Sequence, residues 1–505
     1  MGSKDLKRGA VLSYILIVVN SLYGLLFTPY LISTLGDSEY GIYKIIGSLS
    51  SSLAIFDLGI GSTVLRYTAK FYAEKKNREL DNFSAMGLFE ATIVSALILL
   101  VCAVAFFQID NVYSMSLSAA ELEKAKELFV LFTIVLILST YEKVFFSMIA
   151  GCGRYTVANG LKLARLFSKL IISYLILLRV ADSRVLLFVE IGLLIATILI
   201  QAAYLRQKQL IRIHLYHWDW PLFASSSKYT MLMFVQSIAV QFNGNLDNMV
   251  IGAYDGAKAV AVYSIGLQFF NMYEHFAMAF SDLMLLPISK QIADGAHVRD
   301  LENTVIKIGH LEFIMLGGAL CGFLAIGREF IQLWLGDGYS FAWIVGLVLM
   351  LSTTVSLVQN VCLSIIRAQN KMMFRTIAVS VMAIFNLVFT ILGVPRFGPI
   401  AACIGTAIGL IGVNIIAMNI YYVKVLKMDI IRVFAGILKR SWVCCLIAIA
   451  ILILSNQVLS GSWLQWLAKV GIFAAVYAAA LYCYGFNSTE KSSVTQTIKK
   501  VFRRA

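Results

Sequence analysis

The sequence predicts an all-α polytopic membrane protein, and three observations carry that assignment. Of its 505 residues 60% are hydrophobic and 14% charged, where soluble domains carry about 25% charge. Mean hydropathy is +0.82. Apolar runs of about 20 residues, the length that spans a bilayer as a helix, recur from end to end with only short polar breaks. That spacing leaves no room for a separate soluble domain.

The N-terminal MGSKDLKRGA runs straight into an apolar segment without a small-residue cleavage site, so the first helix is expected to be retained. Candidate spans follow at about 10–34, 40–66, 85–108, 127–150, 156–179, 184–205, 229–253, 259–287, 309–330, 341–366, 373–394, 399–423, 436–456 and 463–485, which makes about fourteen helices. Lys and Arg concentrate in alternate breaks: Lys4, Lys7 and Arg8; Arg66 to Arg78; Arg154 and Lys162; Arg206 to Lys228; Lys290, Arg299 and Lys307; Arg367 to Arg375; Lys424 to Arg440; and the KKVFRRA tail. Roughly thirty cations fall on one side against about seven on the other, which predicts that both termini are cytoplasmic. This bias accounts for the net charge of +14 without nucleic acid as a partner. The eight cysteines have no metal-ligand spacing and read as small apolar residues, so neither a metal nor a cofactor is expected.

The longest break, about 206–228, contains RQKQLIRIHLYHWDWPLF and suits an amphipathic linker at the cytoplasmic interface. His214 and His217 in it lack a third ligand. The segments on either side of the linker repeat. Gly36 to Tyr43 and Gly256 to Tyr263 share the spacing G-x6-Y at an offset of about 220, and SMIAGCGR (Ser147 to Arg154) resembles SIIRAQNK (Ser364 to Lys371) at nearly the same offset. A duplication of about six helices follows, with the last two appended. The expected organisation is an N-terminal lobe at 1–206, a linker at 207–228, a C-terminal lobe at 229–424, appended helices at 425–485 and a basic tail at 486–505.

The second span carries the most informative polar pattern. At 100° per residue Lys44, Ser48, Ser51, Ser62 and Arg66 lie within an arc of roughly 60° on one helix face, broken only by Ile55. An ionisable group at membrane depth costs about 2.5–3.5 kcal/mol or more unless it faces protein or water, so this stripe is expected to line a wet interior. Carried to the eighth span, the repeat places Ser264, Gln268, Asn271, His275 and Asp282 opposite positions 44, 48, 51, 55 and 62, all polar. Leu286 stands opposite Arg66, so the cations belong to the first half alone. Gln236, Asn243 and Asp247 in the seventh span and Asn20 in the first add further polar groups for the same cavity. His275 reads either as a proton switch or as a hydrogen-bonded core residue. Lys162, Arg165 and Lys169, along one side of the fifth span, suit either snorkelling at the inner interface or guidance of an anionic lipid headgroup. Glu142, Lys143, Glu90 and Glu190 are candidates for pairing within the bundle.

No phosphate-binding loop, zinc-peptidase motif or nucleophile elbow occurs, and the loops are too short to hold a catalytic domain. An enzyme is therefore not expected. Energy for transport must come from a proton or sodium gradient, the membrane potential or consumption of the product.

The run TPYLISTLGDSEYGIYKIIGSLSSSLAIFDLGIGSTVLRYTAKFYAEKK resembles the start of the bacterial O-antigen and capsule flippases, polysaccharide transporters of the multidrug/oligosaccharidyl-lipid/polysaccharide (MOP) superfamily. NLDNMVIGAYDGAKAVAVYSIG is similar to the opening of that family's second lobe. The resemblance implies two six-helix lobes around a V-shaped cavity, as in the multidrug transporters of the superfamily, with helices 13 and 14 outside. It also implies translocation of undecaprenyl-pyrophosphate-linked oligosaccharide across the bacterial cytoplasmic membrane by alternating access, beside glycosyltransferases and a polymerase. On that reading Lys44 and Arg66 hold the pyrophosphate. Asn20, Ser48, Ser51, Ser62, Gln236, Asn243, Ser264, Gln268, Asn271 and His275 line the sugar path, and Asp247 and Asp282 are the ion-coupling candidates. An ion-coupled multidrug exporter and a peptidoglycan-precursor flippase are the alternatives. The first span has no cation, so the Arg cluster of the lipid II flippases is not carried over.

Overall fold

The computed structural model describes residues 3–241, 246–369, 371–438, 441–456, 461–486 and 491. They are helical almost throughout and contain no strand. In chain order the helices are α1 (Ser3–Leu53), α2 (Ile60–Ala73), α3 (Asn77–Tyr113), α4 (Ala119–Gly151), α5 (Tyr155–Leu177), α6 (Arg184–Gln207), α7 (Trp220–Gln241), α8 (Leu246–Ala293) and α9 (Val298–Leu335). They continue as α10 (Ser340–Leu357), α11 (Val361–Ala368), α12 (Met373–Phe397), α13 (Pro399–Leu410), α14 (Met418–Val425), α15 (Ile430–Leu438), α16 (Ser441–Asn456) and α17 (Trp463–Ala480). Among the described residues every predicted span falls on one or two of these runs; 242–245 and 439–440, within the predicted spans 229–253 and 436–456, lie outside the described residues.

Two of the long helices are each a pair joined at a glycine. Gly36 divides α1 with φ 80 and ψ 165, and Gly256 divides α8 with φ 78 and ψ −174. That region of backbone space is essentially reserved for glycine. The two breaks fall at the positions that the internal repeat aligns.

Among the described residues nine helices, or ten if α15 and α16 form one bent span, are long and apolar enough to cross a membrane. This is fewer than the fourteen that hydropathy predicts. Val18–Ala73 passes once as a single apolar stretch although Gly36 divides it. α5 has the length, but Lys162, Arg165 and Lys169 interrupt its apolar window.

By contacts the chain divides into two compact units, Met1–Ala261 with Ala383–Ala402, and Val262–Met382 with Cys403–Ala505. The repeat sets the expected boundary elsewhere, at 207–228. In the first unit α4 is central and packs on α1, α2, α3 and α6. Tyr40, Ile45, Ile46, Ile60, Val64 and Phe83 are buried in its core. α4 begins with a capping box in which Glu121 accepts from the Ser118 N–H at 2.9 Å while Ser118 Oγ accepts from the Glu121 N–H at 3.4 Å. In the second unit α9 is central and packs on α10, α15, α16 and α17. Lys469 of α17, only 1% exposed, donates to Glu329 of α9 at 2.6 Å, and the Trp466 indole N–H donates to the Ile326 carbonyl at 3.2 Å.

Candidate functional site

The second predicted span is not one helix. α1 ends at Leu53, a 3-10 turn covers Ala54–Asp57, Leu58 and Gly59 are left-handed with φ 55 and 70, and α2 starts at Ile60. Asp57 holds this break together. Its Oδ1 accepts the Gly59 N–H at 2.8 Å, and its Oδ2 accepts from Lys143 Nζ of α4. The continuous stripe drawn through Lys44, Ser48, Ser51, Ser62 and Arg66 is therefore corrected. Lys44, Ser48 and Ser51 share α1, whereas Ser62 and Arg66 share α2, and the helical phase is lost between them. The hydrophobic run AIFDLGIG conceals the break because its residues suit a span whether helical or not. Irregular backbone at membrane depth is tolerated where protein or a water-filled cavity surrounds it.

Within α1, Lys44 is half-buried and its Nζ stands 5.2 Å from the Tyr40 ring centroid. Ser48 is buried and accepts from Asn248 Nδ2 of α8 at 2.9 Å, while Ser52 donates to the Ser48 carbonyl at 3.0 Å. Ser51, Ser62, Arg66 and Asn20 are exposed. Asp247 is buried beside Asn248. Sequence reasoning passed over Asn248, whose signal was its adjacency to Asp247 in NLDNMV.

The pairs left open by the sequence resolve within the first unit. Lys143 pairs with Asp57 rather than with its neighbour Glu142, which accepts from Gln201 Nε2 at 3.3 Å. Lys169 of α5 pairs with Glu190 of α6 at 2.8 Å. Glu90 accepts from Ser226 of α7. The Thr63 and Thr230 hydroxyls meet at 2.7 Å, as do those of Tyr67 and Ser225, tying α2 to α7. In the turn between α5 and α6, outside the spans, Glu39 accepts from the Ser183 N–H at 2.6 Å, and Lys124 bridges Glu39 and Asp182 at 3.2 and 2.7 Å. Burial would raise the Asp182 carboxyl, but hydrogen bonds from Arg184 and Lys124 outweigh it and hold the group at about 2.

In the second unit Ser264 is buried, Gln268 half-buried, and Asn271 and His275 exposed along α8. The side chains of Asp282 and Gln236 and the whole of Asn243 lie outside the described residues. Beside this row, and unmarked in the sequence, is a small polar cavity of about 30 Å3 whose lining includes Glu274, Thr353, Gln359, Asn360, Arg375 and Asn414. The π-helical turn Ile411–Ala417 supplies Asn414 to it. Among the described residues no three His, Cys, Asp or Glu side chains gather as metal ligands would.

The family described as "Polysaccharide biosynthesis protein" matches residues 6–293. A search of the curated proteins finds no match. Among solved structures, the lipid II flippase MurJ in an inward closed conformation is similar over 94% of this chain and 97% of its own, at 17% identity and a TM-score of 0.72. An inward-facing multidrug resistance MATE family transporter of the MOP superfamily matches over 83% of this chain and 98% of its own, at 14% identity and a TM-score of 0.57. A MOP superfamily transporter from Pyrococcus furiosus, described as having a binding pocket of reverse polarity, covers 86% and 96% at 15% identity and a TM-score of 0.53. At these identities the likeness is one of fold.

Proposed function

Because this chain belongs to the polysaccharide biosynthesis protein family and has the fold of the MOP superfamily, we propose that it is a flippase for polyprenyl-pyrophosphate-linked oligosaccharide. It would carry repeat units for O-antigen, capsule or exopolysaccharide across the bacterial cytoplasmic membrane. The observation that carries the reading is Lys44, a half-buried cation in a predicted span whose neighbour is the Tyr40 ring. No carboxylate lies within ion-pair distance of it among the described residues. Such a charge is costly in a membrane protein, and an anionic ligand would offset that cost.

On this reading Lys44 and Arg66 hold the pyrophosphate. A planar guanidinium suits phosphate oxygens in pairs, and Lys serves as a point charge. Ser51, Ser62, Asn20, Asn271 and His275 present hydroxyl, amide and imidazole groups to sugar hydroxyls. Ser48 acts through its bond to Asn248. Asp247 and Asp282 are assigned to coupling with a proton or sodium gradient. Glycosyltransferases would supply the substrate and a polymerase would consume it. The basic residues argue against a cationic drug as cargo.

The test is complementation of a flippase-deficient strain by Lys44→Gln and Arg66→Gln. Loss of surface polysaccharide at normal protein levels, with one lipid-linked oligosaccharide accumulating, is the expected result. Full complementation by both variants overturns the assignment.

A further inference from the structure

α5 brings basic groups into the interior of the first unit. Lys162, Arg165 and Lys169 are spaced by three and four residues, so they share one helix face. That face meets neighbouring helices. Lys169 is paired with Glu190 of α6. Lys162 Nζ lies 3.6 Å from the centroid of the Phe146 ring of α4. Arg165 is half-buried, and its Nη1 is buried without a hydrogen-bond partner. Snorkelling does not describe this row, because a snorkelling head ends in water.

Of the two acids nearby, Asp57 is ion-paired and Glu142 is hydrogen-bonded by a neutral amide. Asp57 takes Lys143 and the Gly59 N–H, and Glu142 takes Gln201. Glu142 is the first of the charged groups that act on Lys162, followed by Arg165 and Lys143. Lys143, Lys162 and Arg165 of α4 and α5 therefore stand with two carboxylates, Asp57 and Glu142, which leaves one positive charge in excess, and among the described residues neither Lys162 nor Arg165 forms an ion pair. A ring face is a weak substitute for an anion, worth about 0.5–2 kcal/mol. Seven residues further along α5, about 10 Å by helical rise, stands Lys169, and α5 packs along α1, the helix that carries Lys44.

We propose that Lys162 and Arg165 form a second phosphate subsite, one α5 step from Lys44, that binds the pyrophosphate of a prenyl-linked substrate before or after Lys44 holds it. The inference rests on the flippase reading and extends it to α5. A guanidinium and an ammonium one turn apart on the same helix face, neither of them ion-paired among the described residues, match the two phosphates of a pyrophosphate. The aromatic face of Phe146 keeps Lys162 in place when the subsite is empty.

The test uses the full-length protein in lipid nanodiscs and measures binding of geranylgeranyl pyrophosphate, inorganic pyrophosphate and phosphatidylglycerol by native mass spectrometry. The variants are Lys162→Gln/Arg165→Gln, the charge-keeping Lys162→Arg/Arg165→Lys, and Lys44→Gln. Removing two charge-assisted contacts is expected to weaken geranylgeranyl pyrophosphate binding roughly ten- to a hundredfold, with phosphatidylglycerol unaffected and the charge-keeping variant within a few-fold of the parent. Should the Gln pair not fold, the single variant Lys162→Gln is expected to lose roughly tenfold. Unchanged geranylgeranyl pyrophosphate affinity in the Gln variants overturns the subsite while leaving the flippase reading intact. Loss of phosphatidylglycerol alone makes this a bilayer-lipid site and also overturns it. Failure of the parent protein to bind geranylgeranyl pyrophosphate refutes the flippase reading itself. Loss of inorganic pyrophosphate in parallel with the prenyl probe supports recognition of the phosphates rather than the chain.

Discussion

Replacing Asp57 tests how the break between α1 and α2 is held. The carboxylate makes two contacts, with the Gly59 N–H at 2.8 Å and with Lys143 Nζ. The first satisfies a donor at the start of α2 and is worth about 1 kcal/mol. The Lys143 side chain is 42% exposed, so solvent screening limits the ion pair to less than about 1 kcal/mol. Asp57→Ala is therefore expected to destabilise by about 2 kcal/mol. Asp57→Asn keeps an acceptor for Gly59 and is expected to lose no more than about half of that. Leu58 adds a control, since its φ of 55 costs a residue with a side chain about 1–2 kcal/mol; Leu58→Gly should regain part of this. Reversible unfolding in mixed detergent micelles measures all three. The reasoning fails if Asp57→Ala is neutral, or if Asp57→Asn is as damaging as Asp57→Ala.

The pair of buried Lys469 and half-buried Glu329 makes a sharper case: Lys469→Met should cost about 1–3 kcal/mol by leaving a partly exposed carboxylate unpaired, and Lys469→Met/Glu329→Met should recover most of it in the same unfolding assay. Gly36→Ala and Gly256→Ala both force a side chain into a left-handed conformation, costing about 1–3 kcal/mol. A Cβ at Gly256 also meets the Ser116 carbonyl at 3.0 Å, while at Gly36 nothing lies within 4 Å, so Gly256→Ala should unfold at the lower denaturant concentration. Asp182, depressed to about 2 in the folded state, contributes stability that is fully present above its unfolded value near 4 and is lost as pH falls toward 2. That contribution is about 2 kcal/mol, and unfolding of Asp182→Asn followed between pH 5 and 2 should lack it.

Where the chain forms helices was legible because an apolar helix needs only length and composition, and among the described residues the predicted spans fall largely on helix, although nine or ten rather than fourteen helices are long and apolar enough to cross a membrane. The matched breaks at Gly36 and Gly256 were legible too, since few residues other than glycine adopt the backbone found at both positions. The site was legible only in part. Periodicity extrapolates a helix, so it carried one face from Lys44 to Arg66 across a break that AIFDLGIG does not announce. Ion partners depend on how helices face each other, which a single chain of letters does not encode. Lys143 thus met Asp57 instead of Glu142, and Ser48 met Asn248. The polar cavity beside α8 draws its lining from α8, α10, α11, α12, α14 and the intervening turns, so no local pattern marked it.

The central claim is that cations in the membrane-spanning helices hold the phosphates of a lipid-linked glycan during translocation. The most direct measurement is transfer of a fluorescent prenyl-pyrophosphate-linked oligosaccharide between leaflets of proteoliposomes containing the purified protein. The account predicts that the parent protein accelerates transfer, that Lys44→Gln and Arg66→Gln each reduce it at least tenfold, and that the same glycan on an uncharged prenyl carrier is not moved. Equal transfer of the charged and uncharged carriers, or full activity in both variants, would contradict it.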